Sequence, residues 1–359
     1  MNVVFDNIIF SLQHTGGISV VWRELLQRAL KDKRLSVHVL EYPADNIQRN
    51  ELDIPQSMQI HPQQRFMERY RVPDYHPEQP CVFHSSYFRI LRDSNAVNVT
   101  TVHDLTYHFY RHGLPKAVHL AQEKYALQHS KAVICISEAT KHDLLQFYPF
   151  LKAEDIRVIH NGVSSLYTPT KFPNITMFGK GEYLLYVGSR DVDYKNFGVA
   201  VEIARLTHLP LVLAGPPLMS VESRLLDDLL GQNHWQHFAH ISTEQLRVLY
   251  SHAFCLLYPS AYEGFGLPVV EAQACRCLPL IQQCSSLPEV AGDGALSVDA
   301  ETNLSKLAMS MAQMVIALRN GRIDKEALLD AGQANAKRFS WDKTYEQTIQ
   351  LYQEITHNE

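Results

Sequence analysis

The chain has 359 residues, of which 46% are hydrophobic and 20% are charged. These proportions are ordinary for a globular protein, and the length suits about two domains. The formal net charge of −5 argues against nucleic-acid binding, which usually shows a basic excess. No apolar run approaches the roughly 20 residues of a membrane-spanning helix.

The N-terminus and the cysteines give no sign of secretion. The first residues, MNVVFDNIIF, lack a basic lead and a small-residue cleavage site, so we expect a strand there rather than a signal peptide. The six cysteines mostly lie in apolar contexts, which is typical of buried free thiols in a reducing cytoplasm. Cys275 and Cys277 have no second pair at zinc-ribbon spacing, so structural zinc is not favoured.

Short apolar runs alternate with helical patterns along the chain. The helical patterns include Val20–Lys31, Lys116–Gln128, Glu138–Phe147 and Phe197–Leu206. The runs interpreted as strands are Val3–Phe10, Val37–Tyr42, Cys81–His84, Val97–Val102, Ala132–Ser137, Ile156–Ile159, Tyr183–Val187, Leu211–Ala214, Phe238–Ile241, Ala253–Tyr258, Leu278–Ile281 and Ala295–Val298. Such alternation predicts parallel sheets covered by helices on both faces. About a dozen strands are too many for one ordinary sheet, so we expect an α/β protein of two doubly wound domains.

A domain boundary is predicted near Ser164–Gly181, which is rich in turn formers and lacks periodicity. The first domain would cover residues 1–165 and the second residues 166–340. The remaining segment, 341–359, follows a good N-cap, Ser340, and carries apolar residues at intervals of three and four. This helix either packs on its own domain or returns to the first one.

Unusual residues cluster at turns after the predicted strands, where doubly wound sheets bind ligands. Gly16 and Gly17 follow the first strand, and paired glycines let a backbone approach a ligand, although a tight turn explains them equally well. His103 and Asp104 follow the fourth strand. His103 with the nearby His108 and His112 does not place three metal ligands on one face.

Two cations in the second half favour a diphosphate site. Gly188 and Arg190 follow the run Tyr183–Val187, and Lys195 lies at the start of the next helix. Cations beside a helix N-terminus can clamp a diphosphate, but a solvated salt-bridging pair explains them equally well. Gly215 follows the next strand in another turn suited to close approach.

The stretch Ala253–Glu271 combines a strand, a glycine-containing loop and a helix start. Glu263 falls in the loop, Pro268 is expected at the first helical position, and Glu271 falls in the first turn or so. This arrangement predicts a surface for a negatively charged or hydroxyl-rich ligand.

Together these segments resemble the retaining GT-B glycosyltransferases of family 4. The most specific match is Pro259–Glu271, PSAYEGFGLPVVE, with the family's two glutamates separated by seven residues. Ile159–Val163 (IHNGV) and Ser285–Leu296 (SSLPEVAGDGAL) also match. The resemblance implies two Rossmann-like domains that face each other across a cleft. It is closest to bacterial enzymes of surface-polysaccharide and O-antigen assembly, many of which use GDP-mannose.

The resemblance implies a role for each matching residue. Arg190 and Lys195 would hold the donor diphosphate and stabilise the leaving nucleotide, which can replace a divalent metal, so no metal or other cofactor is expected. Glu271 would bind the ribose hydroxyls, Glu263 the donor sugar, and His103 the sugar near the reacting carbon. The other implied donor contacts are Gly16, Gly17, Gly188, Gly215, Phe265, Gly266 and Leu267.

The acceptor is expected to contact mainly the first domain, with Asp104, Arg65 and Arg69 as candidates. The two arginines belong to Gln63–Tyr75, which either meets an anionic lipid-linked acceptor at a membrane surface or forms a disordered surface loop. The expected partners are a nucleotide sugar and a saccharide or lipid-linked saccharide. The expected location is the cytoplasm, with peripheral contact with the inner face of the membrane as a further option.

The predicted reaction is transfer of a hexose, with mannose as the candidate, with retention and without a protein nucleophile. Two alternatives remain open, a GT-B sugar-nucleotide epimerase and a sugar-nucleotide-binding module without turnover. A nicotinamide oxidoreductase is disfavoured because no G-x-G-x-x-G follows the first strand. One residue departs from the family pattern, since Arg276 replaces a glycine, and we expect it to alter packing or charge near the site.

Overall fold

The computed structural model describes residues 1–357, in which strands and helices alternate. The strands are β1 (Asn2–Asp6), β2 (Ser36–Leu40), β3 (Gln59–Ile60), β4 (Cys81–Ser85), β5 (Ala96–Val102), β6 (Ala132–Cys135), β7 (Ile156–Val158), β8 (Leu184–Val187), β9 (Leu211–Ala214), β10 (Trp235–Phe238), β11 (Cys255–Tyr258), β12 (Pro279–Gln283) and β13 (Leu296–Asp299). The helices are α1 (Ile8–Leu12), α2 (Gly17–Ala29), α3 (Ile47–Asn50), α4 (Thr106–Tyr110), α5 (Gly113–Gln128), α6 (Glu138–Phe147), α7 (Phe197–Thr207), α8 (Ser220–Leu230), α9 (Thr243–His252), α10 (Leu267–Ala274), α11 (Leu287–Ala291), α12 (Leu304–Arg319), α13 (Lys325–Ala336) and α14 (Trp341–His357).

These elements form two compact units, each built on a parallel sheet. Unit 1 comprises residues 1–162 and helix α14, and unit 2 comprises residues 163–340. The strand orders are β3-β2-β1-β4-β5-β6-β7 in unit 1 and β10-β9-β8-β11-β12-β13 in unit 2. In each sheet the strand order reverses beside the first strand of the unit, β1 or β8, as in doubly wound domains. The predicted fold class, α/β with two doubly wound domains, is confirmed.

Two predicted strands have the wrong bounds. The run Val3–Phe10 divides into β1 and the short helix α1, with Asn7 between them. Ile8–Phe10 is buried throughout, and a fully buried run has no periodicity that separates helix from strand. The predicted strand Phe238–Ile241 overlaps β10 only at Phe238. Because β10 is a half-buried edge strand, its residues do not form an uninterrupted apolar run that the prediction could recognise.

The segment predicted as a linker, Ser164–Gly181, belongs to unit 2. It contains no helix or strand, but Tyr167, Ile175 and Phe178 pack against the apolar core of that unit. These contacts make it a packed part of unit 2 rather than a free connection.

Helix α14 belongs to unit 1, although it is the last element of the chain. Tyr345, Ile349, Tyr352 and Ile355 are buried in the same apolar cluster as core residues of β1 and α2. The apolar stripe recognised in the sequence is therefore the face that packs on the first domain.

All six cysteines are free thiols, and five of them are buried. No helix within residues 1–357 is both long and apolar enough to cross a membrane.

Candidate active site

Three loops of unit 2 meet at the carboxyl edge of its sheet. They follow β8, β9 and β11, and β8 lies between the other two strands. Because the strands are parallel, their carboxyl ends share the edge where doubly wound domains bind ligands. Gly188 and Arg190 follow β8, Gly215 follows β9, and Glu263 follows β11. These predicted donor residues therefore lie at one edge of the sheet.

Gly188 and Gly215 bring two of these loops into direct contact. A Cβ atom on Gly215 would lie 2.4 Å from the backbone oxygen of Gly188 and 3.3 Å from Nη1 of Arg190. The backbone N–H of Gly188 also donates to the backbone oxygen of Ala214 at 3.0 Å. Only glycine at position 215 permits this close approach.

The Arg190 side chain is almost fully buried, with 2% of it exposed. Its Nε donates to Oε1 of Glu222 at 3.0 Å, and its Nη2 donates to the backbone oxygen of Pro216 at 2.5 Å. Nη1 has no hydrogen-bond partner among the described residues. A buried donor without a partner is costly, so Nη1 is suited to an anionic oxygen. The alternative interpretation of Arg190 as a solvated salt-bridging residue is thus half right, because Arg190 forms a salt bridge with Glu222 but is buried rather than solvated.

Glu222 is a contact of Arg190 that the sequence analysis missed. It lies on α8, where Oε2 also accepts a hydrogen bond from the backbone N–H of Met219 at 2.7 Å. The sequence signal for Glu222 is only that of a carboxylate in the first turn of a helix, so its second contact could not be foreseen.

Lys195 and Glu263 form a direct ion pair, with Nζ 2.7 Å from Oε1. Their side chains are 18% and 12% exposed, so solvent screens the pair less than it screens a surface pair. The hydroxyl of Tyr258 also hydrogen bonds to Glu263. The sequence predicted separate ligands for the two charged residues, whereas the structure pairs them with each other.

Two serines anchor the Glu263 loop. The backbone N–H of Glu263 donates to Oγ of Ser285 at 2.9 Å. Oγ of Ser286 donates to the backbone oxygens of Glu263 and Phe265 at 2.8 and 3.1 Å. The matching segment that begins at Ser285 therefore has a positioning role that the sequence alone did not indicate.

The start of α10 completes this edge. The Phe265 side chain is buried edge-on against Phe339, so its ligand contacts would come from the backbone. Gly266 has a φ of +93° and is the N-cap residue of the helix, where it has no side chain to cap the N-terminus. Leu267 is the first helical residue and Pro268 the second, one position later than predicted.

Glu271 lies one turn into α10 in a buried setting. The Tyr250 hydroxyl donates to its Oε2 at 3.0 Å. Burial raises the pKa of Glu271 to about 7, against the opposing effect of hydrogen bonds from Tyr250 and Tyr167. Near pH 7 the Glu271 side chain is therefore present in both its protonated and its ionised form. Hydrogen bonds from ligand hydroxyl groups would favour the ionised form.

Arg276 occupies a position that suits glycine. It follows the end of α10 with a φ of +57°, in the left-handed region. Its guanidinium pairs with Asp330 and Glu326 on α13 at 2.5 and 2.6 Å. The expected change in packing and charge is thus directed at α13, where two carboxylates compensate the added charge.

We expect Arg276→Gly to leave donor kinetics unchanged and to change the free energy of unfolding by less than about 1 kcal/mol. Release of left-handed strain, about 1 kcal/mol, opposes the loss of exposed ion pairs, about 0–1 kcal/mol. Urea unfolding and steady-state kinetics measure both quantities, and Asp330→Ala serves as the control that removes one ion pair alone. A tenfold loss of donor affinity in Arg276→Gly would contradict this assignment.

Unit 1 contains a polar cavity of about 280 Å³ at the carboxyl ends of β1, β4 and β5. His103, Asp104 and Arg69 line it. Gly16 and Gly17 lie in the chain between Gln13 and Ile18, which also line it. The structure thus brings His103, Asp104 and Arg69 to one cavity, with Gly16 and Gly17 in the adjoining segment. One predicted unit-1 residue is an exception.

The exception is Arg65, which does not line this cavity. Its guanidinium instead pairs with Glu68 at 3.0 Å and donates to the backbone oxygen of Val72 at 2.6 Å. These contacts, and the hydrogen bond from Gln122 to the backbone oxygen of Arg69, order a segment for which a disordered loop was one interpretation.

The aromatic and histidine side chains that line this cavity were not predicted from the sequence. The His119 ring stacks on Tyr107 with centroids 3.7 Å apart, and its Nδ1 lies 2.9 Å from the Tyr87 hydroxyl. Arg69 donates to the same hydroxyl at 2.5 Å. These residues come from distant parts of the chain and share no motif, so no local signal could have grouped them.

Asp104 also shapes the cavity wall. Its Oδ1 accepts hydrogen bonds from the backbone and hydroxyl of Thr106, at 2.9 and 2.5 Å, at the start of α4. His108 on that helix is hydrogen bonded to Glu123 at 2.8 Å. Within residues 1–357, no group of three histidine, cysteine or acidic side chains is arranged to hold a metal ion.

Three histidines of unit 1 favour their neutral form. Burial lowers the pKa of His103 to about 4 and that of His119 to about 4. Burial, with a contribution from the charge of His103, lowers the pKa of His84 to about 3. At neutral pH these rings therefore act as neutral hydrogen-bonding groups.

We expect the stability of unit 1 to fall as the pH is lowered from 7 to 5. The unfolded chain binds protons at its histidines near pH 6.5, whereas the folded unit does so only near pH 3–4. Acid therefore favours the unfolded state in this window, and we expect a loss of about 2 kcal/mol or more. Urea unfolding followed by tryptophan fluorescence measures it. The His119→Gln variant should lose less free energy of unfolding between pH 7 and pH 5 than the unsubstituted protein. An equal loss would contradict the assignment of this effect to the buried histidines.

Both units match families of known proteins. Residues 15–165 match the family Glycosyltransferase Family 4, and residues 168–317 match Glycosyl transferases group 1. The chain belongs to the GT-B glycosyltransferases of family 4.

This glycosyltransferase is similar to several named proteins. It is 27% identical over 271 residues to O-antigen chain mannosyltransferase B of Escherichia coli, covering 71% of this chain and 69% of that protein. It is 29% identical over 262 residues to alpha-maltose-1-phosphate synthase of Mycobacterium tuberculosis, covering 65% of each. These matches span about two thirds of each relative. The solved sucrose-phosphate synthase of Thermosynechococcus elongatus has the same fold, with a TM-score of 0.73, 19% identity and complete coverage of both chains.

Proposed function

We propose that this glycosyltransferase moves a hexose, with retention of configuration, from a nucleotide sugar to a saccharide or lipid-linked saccharide in surface-polysaccharide synthesis. GDP-mannose is the proposed donor, supported by the similarity to the O-antigen mannosyltransferase of Escherichia coli. A cytoplasmic location with peripheral membrane contact belongs to the same proposal. The observation that carries it is the shared sheet edge with the unpartnered Arg190 nitrogen and the Lys195–Glu263 pair.

The two cations would receive the donor diphosphate. Arg190 is held by Glu222, and its Nη1 is a donor without a partner among residues 1–357. Lys195 would exchange the Glu263 carboxylate for a phosphate oxygen, which leaves Glu263 free to accept hydrogen bonds from sugar hydroxyls. Charges fixed in advance at the leaving group stabilise the transition state, because little reorganisation is needed during the reaction.

The remaining donor contacts follow from the same arrangement. Glu271 would accept hydrogen bonds from the ribose hydroxyls and shift to its charged form as it does so. The uncapped N-terminus of α10, at Gly266 and Leu267, would offer backbone N–H groups to the sugar or phosphate.

The acceptor would bind in the polar cavity of unit 1 beside His103 and Asp104. In the proposed step, the bond between the anomeric carbon and the phosphate oxygen breaks while the acceptor oxygen bonds to the same face. The acceptor proton passes to the leaving phosphate oxygen, so no side chain acts as nucleophile. Neutral His103 would hydrogen bond to the donor sugar near the reacting carbon.

A panel of nucleotide sugars tests this proposal. Release of nucleotide is measured for GDP-mannose, UDP-glucose and related donors, with and without a saccharide acceptor, and NMR of the product reads the anomeric configuration. We expect acceptor-dependent release from one donor, also in the presence of EDTA. Saturable donor binding without turnover would favour the binding module, and an inverted product would overturn the retaining mechanism.

A further inference from the structure

A second cavity of unit 1, of about 310 Å³, is lined by three arginines. It lies between the segments Tyr70–Val72 and Phe88–Arg92 and one face of α5. We call it the arginine cavity, after Arg71, Arg89 and Arg92. It neighbours the polar cavity that contains His103, because Phe88 lines both.

Arg89 is the buried member of this group, with 1% of its side chain exposed. Its Nη2 donates to the Tyr42 hydroxyl at 3.0 Å and to Glu68 at 3.2 Å, and its Nε lies 3.4 Å from Asp6. Its Nη1 has no hydrogen-bond partner within the described chain. A guanidinium donor is thus left unsatisfied in a side chain that lines the cavity.

Arg71 and Arg92 add positive charge that no carboxylate compensates in the part of the chain that the structure describes. Arg71 donates through Nε to the backbone oxygen of Phe66 at 2.9 Å. The Arg92 guanidinium lies over the Tyr125 ring, 4.9 Å from its centroid. Within residues 1–357 neither forms an ion pair, although the whole protein carries a net charge of −5.

The neighbouring carboxylates compensate Arg89 but not Arg71 or Arg92. Glu68 is shared by Arg65 and Arg89, and Asp93 pairs with His76 at 3.0 Å. Arg89 is paired with Asp6 and Glu68, whereas Arg71 and Arg92 have no carboxylate partner among the described residues, so the lining of the cavity has an excess of positive charge. Guanidinium groups bind phosphate oxygens through charge-assisted hydrogen bonds, which favours an anionic ligand.

Gln122 and an apolar surface beside the cavity indicate what kind of molecule carries the anion. Gln122 donates through Nε2 to the backbone oxygen of Arg69 at 2.6 Å, and its buried Oε1 has no partner among residues 1–357. This amide oxygen can accept from a hydroxyl group of the ligand. Val118 lines the cavity, and Leu114, one turn earlier on α5, is 76% exposed, which provides an apolar surface nearby.

We propose that the arginine cavity binds the phosphate or diphosphate group of the acceptor, which is therefore a phosphate-linked saccharide. Arg71, Arg89 and Arg92 hold the anionic oxygens, and Gln122 accepts a hydrogen bond from a hydroxyl group. The assignment of this anion to the acceptor rests on the proposed function, whereas the anion site itself does not.

Binding measurements test the anion site without any turnover. The full chain is titrated calorimetrically with inorganic diphosphate and with farnesyl diphosphate, in a Lys195→Ala background that weakens the donor site. Arg71→Gln with Arg92→Gln should weaken binding of these ligands at least tenfold, the scale of losing charge-assisted hydrogen bonds. Lys124→Gln with Lys131→Gln removes two exposed charges of the same unit outside the cavity and is the matched control.

The outcomes separate the source of the anion from the existence of the site. Equal affinity for the two ligands would mean that the site recognises the diphosphate group alone. Tighter binding of farnesyl diphosphate would mean that the exposed apolar surface around Leu114 also contacts the ligand. Absence of saturable binding, or the same loss in the lysine control, would overturn the proposal.

Kinetics then test the link to the acceptor. With a phosphate-linked acceptor, the double arginine variant should raise the acceptor KM at least tenfold with little change in kcat. With the same saccharide lacking phosphate, KM should not respond to the substitutions. An equal response with both acceptors would contradict the assignment, while a protein without any donor turnover would defeat the proposed function and leave the binding result intact.

Discussion

Replacing Lys195 by alanine is expected to lower kcat/KM for the nucleotide sugar by about 10²-fold or more. The substitution removes a cation proposed to stabilise the leaving diphosphate. It also leaves the Glu263 carboxylate, 12% exposed, without its ion-pair partner and so repels the incoming donor. Steady-state kinetics with the donor identified by the panel measure the effect.

Two further variants make this result specific. Lys306→Ala removes an exposed lysine of the same unit and should leave the kinetics unaltered. Adding Glu263→Gln to Lys195→Ala should restore part of the stability lost through the unpaired carboxylate, but not the rate. Near-normal kinetics of Lys195→Ala would remove this residue from the mechanism.

Gly215→Ala is expected to lower kcat/KM by about 10²-fold and the stability of unit 2 by about 1–3 kcal/mol. The added methyl group would lie 2.4 Å from the backbone oxygen of Gly188, which must move. That movement displaces the loop that carries Arg190. Kinetics and urea unfolding measure the two effects separately.

The matched control for this substitution is Gly198→Ala in α7. A Cβ atom there meets no heavy atom within 4 Å, so we expect unchanged kinetics and unchanged or slightly raised stability. If Gly215→Ala behaved like this control, the close contact between the two loops would have no part in donor binding.

Much of the fold could be predicted from local sequence patterns. Helix α6 has the predicted bounds, Glu138–Phe147, because Ser137 caps it and only one of its faces is buried. The buried run Val3–Phe10 misled the prediction, since a strand and a short helix that are both covered on all sides show the same uninterrupted hydrophobicity. Periodicity reports a secondary structure only where one face meets water.

In the candidate site, too, residues with a local sequence signal could be predicted and residues without one could not. Gly188, Arg190 and Glu263 were found because each lies in a turn after a strand, next to recognisable neighbours in the sequence. Glu222 and His119 were not, since each lies on a helix whose pattern is explained by capping or burial. Their contacts come from other segments of the chain.

By itself, the sequence determined that this protein is an α/β glycosyltransferase and which turns carry its proposed donor-binding residues. Only the tertiary structure decided that Lys195 pairs with Glu263, that Arg190 is buried with one free nitrogen, and that three arginines line a second cavity. The physical reason is that charge pairing and burial depend on which loops the strand order brings together. Strand order follows from packing between distant segments, which leaves no trace in local periodicity.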